Sequence, residues 1–228
     1  MKALDSIFDF IFPRECHLCG QSLPTGTKYV CQACLAKLPR TLYHRVADNP
    51  MERRFMGQFP FRAATGHFFY SRESDLARLI QDFKYRKFPG LARLMGETAA
   101  RELFSTGFLS DIDAILPVPM HFMKKARRGY NQTEEIAQGI SKVTGIPVRK
   151  NLTARRGHRT QTSLTLEQRL KNVEGIFVLK NPETLEGKRI LIVDDVCTTG
   201  TTLAAAAKAV TDKLKQTEIT LLSLGVTF

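Results

Sequence analysis

Four consecutive apolar residues run straight into two carboxylates and then into a loop of small residues: Ile190-Leu-Ile-Val193, Asp194-Asp195, Val196-Cys197, Thr198-Thr199-Gly200-Thr201-Thr202. The apolar run has the length and β-branching of a strand buried on both faces, the kind found in parallel sheets covered by helices. After the loop, Leu203, Ala206, Ala207, Val210 and Leu214 fall on one helical face. The stretch therefore reads as strand, acidic edge, loop, helix. Such a unit requires an open α/β sheet, and ligands bind at the carboxyl ends of its strands.

The loop feeds a helix N-terminus, whose free N–H groups and positive dipole end suit a phosphate, and the threonine hydroxyls add donors. Neither the G-x-x-x-x-G-K-[ST] nor the G-x-G-x-x-G frame is present. The adjacent acid pair calls for a phosphate ligand that also carries a polyol or a divalent cation. 5-Phosphoribosyl 1-pyrophosphate (PRPP) has this form, with its 5′-phosphate toward Thr198–Thr202 and its ribose hydroxyls toward Asp194 and Asp195. The stretch resembles the PRPP-binding motif of type I phosphoribosyltransferases. The competing reading is an acidic strand end on an ordinary βα turn. Close approach of backbone to phosphate would explain Gly200, so valine there is expected to abolish binding.

Four of the five cysteines form two C-x-x-C pairs, Cys16/Cys19 and Cys31/Cys34. In a reducing compartment this spacing points to a closed four-thiolate zinc site of structural type, with a redox dithiol pair as the competing reading. His17 is expected to be an exposed residue of the knuckle, and Cys197 a small packed hydrophobe. The chain has 228 residues with 34 basic against 22 acidic side chains, a net charge of +12, which favours polyanionic partners. No apolar run approaches the roughly 20 residues of a membrane span. The first twelve residues are amphipathic rather than a signal sequence, since Asp5 and Asp9 interrupt the apolar run. Leu4, Ile7, Phe8 and Ile11 are expected to pack on the body of the protein, and a cytoplasmic location is expected.

Residues 35–50 read as a connector broken by Pro39 and Pro50. A strand is expected at 63–70, and helices through Leu76 to Phe83 and Leu91 to Leu103, separated by a turn at Phe88-Pro89-Gly90. Ile112 to Pro119 reads as a strand, followed by the basic loop Lys124-Lys125-Ala126-Arg127-Arg128. Asn131 and Glu134 have the form of a capping box for a helix ending at Gly145. This second strand–loop–helix unit carries cations where the first carries threonines. Arg127 and Arg128 suit a pyrophosphate, with a solvated basic turn as the alternative. Residues 154–169 hold Arg155, Arg156, Arg159, Thr160 and Gln161 around Gly157, the residue types of a closing lid. Strands are expected again at 175–179 and 219–224. The fold class is α/β, a mainly parallel sheet with helices on both faces plus a small N-terminal zinc knuckle. The division is residues 1–50, a helix and four-cysteine finger with connector, and residues 51–228, a phosphoribosyltransferase-like domain.

Taken together, the paired C-x-x-C knuckle, Phe83-Lys-Tyr-Arg86, Pro117-Val-Pro119, Arg128-Gly-Tyr-Asn-Gln132, Thr160-Gln161 with Arg169 and Asn172, and the Asp194–Thr202 motif resemble the ComF family, the GntX-like phosphoribosyltransferases. The resemblance spans nearly the whole chain. It implies a PRPP-binding fold joined to a zinc finger, and a link to DNA uptake in natural transformation. In phosphoribosyl transfer, Mg²⁺ accompanies PRPP and the departing pyrophosphate must be neutralised away from water. Asp194, Asp195, Arg155 and Arg159 are the expected catalytic set. Thr198, Thr199, Gly200, Thr201, Thr202, Arg127 and Arg128 are the expected PRPP contacts. Purine-salvage relatives often place an acid at the position of Thr198, which puts a purine acceptor in doubt. Two function classes stay open: a transferase with a small acceptor, and a non-catalytic, PRPP-regulated protein that keeps the PRPP pocket, binds single-stranded DNA, works with competence and DNA-processing proteins, and stacks bases on Tyr85 and Tyr130. The oligomeric state is not legible.

Overall fold

A computed structural model describes residues 14–155 and 175–227. The expected N-terminal helix, Arg156, Arg159 and most of the expected lid lie outside the described residues. The central sheet is parallel, in the order β1 (Ala63–Phe69), β6 (Glu218–Val226), β5 (Arg189–Cys197), β2 (Ala114–Pro117). Ile190 and Ile192 face one core while Leu191 and Val193 face the other, so the apolar run is buried on both sides, as a parallel strand requires. β5 does not stop at the carboxylates. Asp194 and Asp195 continue the strand, with Asp194 paired in register to Ser223.

One face is covered by α3 (Asp75–Tyr85), α4 (Pro89–Ser105) and α6 (Gln132–Thr144), whose Leu79, Phe83, Met95, Ile136 and Ile140 pack on Leu191, Val193 and Leu222. α4 and α6 touch backbone to backbone. A Cβ on Gly96 would lie 2.2 Å from the Ile136 carbonyl oxygen, and one on Gly139 would lie 2.1 Å from that of Arg93. The other face is covered by α2 (Pro50–Phe55), α7 (Thr201–Thr211) and the small antiparallel pair β3 (Leu152–Ala154) and β4 (Phe177–Leu179). β2 tolerates Pro117 because it is the edge strand, and its outer side is met by the segment at Pro147–Arg149.

Several local expectations change. The stretch 35–50 is not a plain connector. α1 (Gln32–Lys37) runs into it, and Pro50 starts α2 rather than breaking an element, with Asn49 and Glu52 forming a reciprocal capping box. Pro89 likewise opens α4. The basic loop is itself a short helix, α5 (Phe122–Arg128), closed by Gly129 at φ +86°. Asn131 caps α6 as expected. Glu134, however, turns outward to Lys125 at 3.1 Å and Lys150 at 2.9 Å, because those cations outcompete a neutral backbone N–H.

The cysteine segment docks on this body rather than standing apart. Cys16, Val30 and Leu38 belong to the core under α3 and α4. His17 is not an exposed residue of the knuckle: its Nδ1 lies 2.6 Å from Asp82 Oδ2, and its ring packs edge-on against Phe88. Arg40 closes the C-terminus of α1, donating to the carbonyls of Leu35, Ala36 and Leu38, and pairs with Glu102 at 2.7 Å. His67, together with that pairing, holds the Glu102 carboxyl down at about 2. Among the described residues no helix is long and apolar enough to cross a membrane.

Candidate functional site

The carboxyl ends of β5 and β2 carry the two loops that the chain's pattern singles out. At β5, Asp194 and Asp195 are buried to 8% and 6% exposure although both are acids. The Asp195 N–H donates to Asp194 Oδ1 at 2.8 Å. Burial and the neighbouring Asp195 charge push the Asp194 carboxyl up to about 7. Asp195 is compensated differently. Its Oδ2 receives the ammonium of Lys84 at 2.7 Å and the amide of Gln132, also at 2.7 Å. Two adjacent carboxylates on one strand thus have different partners and different tasks.

The threonine loop begins where β5 ends. Thr198, Thr199 and Thr202 are exposed, while Gly200 is buried at φ +81°. A Cβ at Gly200 would stand 2.8 Å from Phe55 Cε1, so packing from α2 demands glycine before any phosphate does. The Thr199 and Thr201 hydroxyls lie 2.7 Å apart. Gly200 caps α7 without a side-chain hydrogen bond, and the Thr201 N–H meets only the Thr199 hydroxyl at 3.5 Å, an N-terminus of the kind that receives a phosphate. The loop is pulled into shape from below by Arg54, whose guanidinium donates to the carbonyls of Cys197, Thr198 and Thr227. Carbonyls drawn inward turn the opposite peptide edges, the N–H groups, to the outside. Cys197 is buried, and burial pushes its thiol up to about 11, so it packs rather than attacks.

Across the sheet edge, α5 presents Lys124, Lys125 and Arg127 to solvent. Arg128 is partly buried, stacks over Tyr85 at 5.0 Å and donates to Gln132 at 3.3 Å. Arg128, Gln132, Lys84 and Asp195 thus form one connected network from the basic helix to the acid pair. Tyr130 is not a free stacking ring. Its hydroxyl donates to the Phe83 carbonyl, and burial pushes it up to about 12. Tyr85 is 62% exposed, and Phe122 and Met123 stand out on the basic helix.

Arg155 lies at the end of β3 and lines a cleft of about 1030 Å³ with Thr199, Gly200, Thr201 and Lys208. The acid pair, Arg127 and Arg128 are not among the residues that line that cleft, so the structure brings Arg155 to the threonine loop and not to the acid pair. The four cysteine sulfurs lie within 4.8 Å of one another, and Cys19 and Cys31 Sγ are 3.9 Å apart. A tetrahedral zinc with bonds of about 2.3 Å spaces its sulfurs at roughly 3.8 Å, so the donor set fits that metal. Burial opposes the Cys16 thiolate, yet the backbone around Cys19, Cys31 and Leu18 converges on it and brings its thiol down to about 6.

Lys84, Gln132 and Arg54 carry the site alongside the expected residues. In the sequence, Lys84 and Gln132 show only as members of longer motifs, and Arg54 sits in an arginine pair that belongs to no motif. No periodicity signals which cation of Lys84-Tyr-Arg-Lys87 turns inward.

Comparison with known proteins agrees with this fold. The model of the phosphoribosyl transferase domain family matches residues 100–213, half of the chain. Competence protein F of Haemophilus influenzae is 34% identical over 138 residues, a match that spans 58% of this chain and 60% of that relative's length. DNA utilization protein YhgH of Escherichia coli O157:H7 is 27% identical over 209 residues, 86% of this chain and 90% of the relative. Competence protein ComFC of Bacillus subtilis is 25% identical over 211 residues, 92% of this chain and 76% of the relative.

Proposed function

Since the chain belongs to the phosphoribosyl transferase domain family and, with relatives named Competence protein F and ComFC, to its ComF-type members, we propose that it binds PRPP with Mg²⁺ at the carboxyl end of its sheet. One observation carries the reading: a buried acid pair and an outward-facing threonine loop stand three residues apart on one continuous strand–loop–helix unit. Asp194 and Asp195 take the ribose hydroxyls. Thr198 to Thr202 take the 5′-phosphate. Arg127 and Arg128 serve the pyrophosphate, and Arg155 and Arg159 are the further cations we assign to its neutralisation away from water.

When bound, Mg²⁺ supplies charge neutralisation for the pyrophosphate oxygens. The acid pair fits a metal that arrives on the ligand better than a resident one, because Asp195 already holds an ammonium. Thr198 offers no carboxylate to act as a base on a purine ring, so the reading favours an acceptor that needs no base at that point. Calorimetry tests it: wild type binds PRPP with Mg²⁺, and an Asp194→Asn, Asp195→Asn double variant that remains folded does not. Equal affinity in the two proteins overturns the reading.

A second reading has its own observation. Tyr85 stands exposed beneath Arg128, next to the cations of α5, which is a stacking platform set in a basic track. With relatives named for competence and DNA utilization, this supports weak, sequence-independent binding of single-stranded DNA in DNA uptake, with competence and DNA-processing proteins as partners. Anisotropy of a labelled oligonucleotide at low salt tests it, and no binding at tens of micromolar protein leaves the small-acceptor transferase.

The proposal includes one structural zinc held by Cys16, Cys19, Cys31 and Cys34, a cytoplasmic location that keeps those thiols reduced for the metal, and the division into residues 1–50 and 51–228. Zinc well below one equivalent, in protein purified without chelator, overturns the metal assignment.

A further inference from the structure

Lys84 is held at the end of α3 by its surroundings rather than by chance. The Phe83 carbonyl accepts the Tyr130 hydroxyl, and Asp82 is clamped by His17 at 2.6 Å and by Arg86 at 3.3 Å. The basic-loop side and the cysteine knuckle therefore fix the same helix end, and the freedom left at Lys84 is in its side chain. That side chain is 19% exposed and ends 2.7 Å from the buried Asp195. A sugar hydroxyl that is to bind Asp195 Oδ2 must compete with this ammonium.

The displaced charge needs a new partner. Leaving a partly buried ammonium unpaired costs more than the hydrogen bond it gives up. The threonine loop offers it only neutral hydroxyls, and Asp194, the other carboxylate whose charge Lys84 feels, faces the second ribose hydroxyl in the same reading. The ammonium beside the acid pair is thus placed to follow the ligand's own anion.

We propose that Lys84 is an exchange cation: it neutralises Asp195 in the free protein and transfers to the pyrophosphate when the ribose diol takes that carboxylate. It thereby selects a pyrophosphorylated ribose phosphate over ribose 5-phosphate, which could displace the ammonium but offers no pyrophosphate in return. This inference rests on the PRPP reading of the site.

The test compares PRPP and ribose 5-phosphate, each with Mg²⁺, by calorimetry on wild type, Lys84→Met and Lys84→Arg. Wild type should prefer PRPP. In Lys84→Met that preference should fall about ten- to a hundredfold, the range of a charged hydrogen bond, while Lys84→Arg keeps most of it. A preference in Lys84→Met within threefold of wild type overturns the inference. Because removing the partner of Asp195 could unfold the Met variant, the wild-type Lys84 ammonium is also followed by ¹⁵N-resolved NMR. It should stay hydrogen-bonded with PRPP and become fast-exchanging with ribose 5-phosphate. The same signal with both ligands overturns the inference. Wild type that binds neither ligand overturns the reading of the site, and the inference with it; wild type that binds PRPP without the Lys84 effects overturns the inference alone.

Discussion

The two strand–loop–helix units at the sheet edge are built on opposite terms. The unit of β5 and α7 is held from within: Gly200 is pressed against Phe55, Arg54 gathers three carbonyls, and the acids are buried. The unit of β2, α5 and α6 is held from outside. Lys124, Lys125 and Arg127 stand in solvent, and Glu134 ties Lys125 and Lys150 through surface pairs. A fixed loop of neutral donors suits a group that stays in place, such as a 5′-phosphate. A solvated row of cations suits an anion that departs or varies, because screened charges bind without a set geometry.

The contrast is tested most severely at Gly200. Gly200→Val must place a branched side chain at φ +81° and against Phe55. The left-handed backbone costs about 1–2 kcal/mol and overpacking about 1–3 kcal/mol more. Urea denaturation should show destabilisation in that range, and calorimetry no PRPP binding. Unchanged stability would mean that the loop is not held by packing.

Arg54→Ala comes next. It removes the donor shared by the carbonyls of Cys197, Thr198 and Thr227, and hydrogen bonds to a charged group contribute about 1.5–3 kcal/mol. PRPP affinity should fall roughly tenfold or more as the loop loses its shape. An affinity within twofold of wild type would show that the loop holds its shape without it.

A pH effect of intermediate size belongs to Asp194. Its carboxyl is raised from 3.8 to about 7 in the folded protein. Between those values the folded chain therefore binds more protons than the unfolded one, and this group's contribution to stability is lost as pH rises through the window. Asp194→Asn abolishes that dependence. The variant should gain on wild type from pH 4 to 7 and keep that gain at pH 8 in denaturation experiments. A stability difference that is flat with pH would place the Asp194 carboxyl in its ordinary range.

The smallest structural effect is expected on α5. Lys124→Ala with Arg127→Ala should change stability by less than about 0.5 kcal/mol. It should also reduce the logarithmic salt slope of oligonucleotide binding by about 0.7 for each phosphate that is no longer neutralised. A large drop in stability there would erase the distinction between the two units.

The sequence by itself determined the local chemistry: a doubly buried strand ending in acids, a threonine loop opening a helix, a run of cations, and four thiols at zinc spacing. These are legible because each depends on neighbours a few residues apart, through strand alternation, helix periodicity or the tight C-x-x-C turn. The tertiary structure decided which cation meets which acid. Lys84 and Asp195 stand far apart in the chain, and nothing local distinguishes Lys84 from Lys87 until α3 docks beside β5. The same holds for His17, whose position in a tight turn suggests exposure until Asp82 is brought beside it. It holds as well for Arg54, whose role exists only where α2 passes under the loop. Hydrophobic periodicity reports which face of an element is buried, but not what lies across the contact, and long-range ion pairs form between the ends of elements where that periodicity carries no signal.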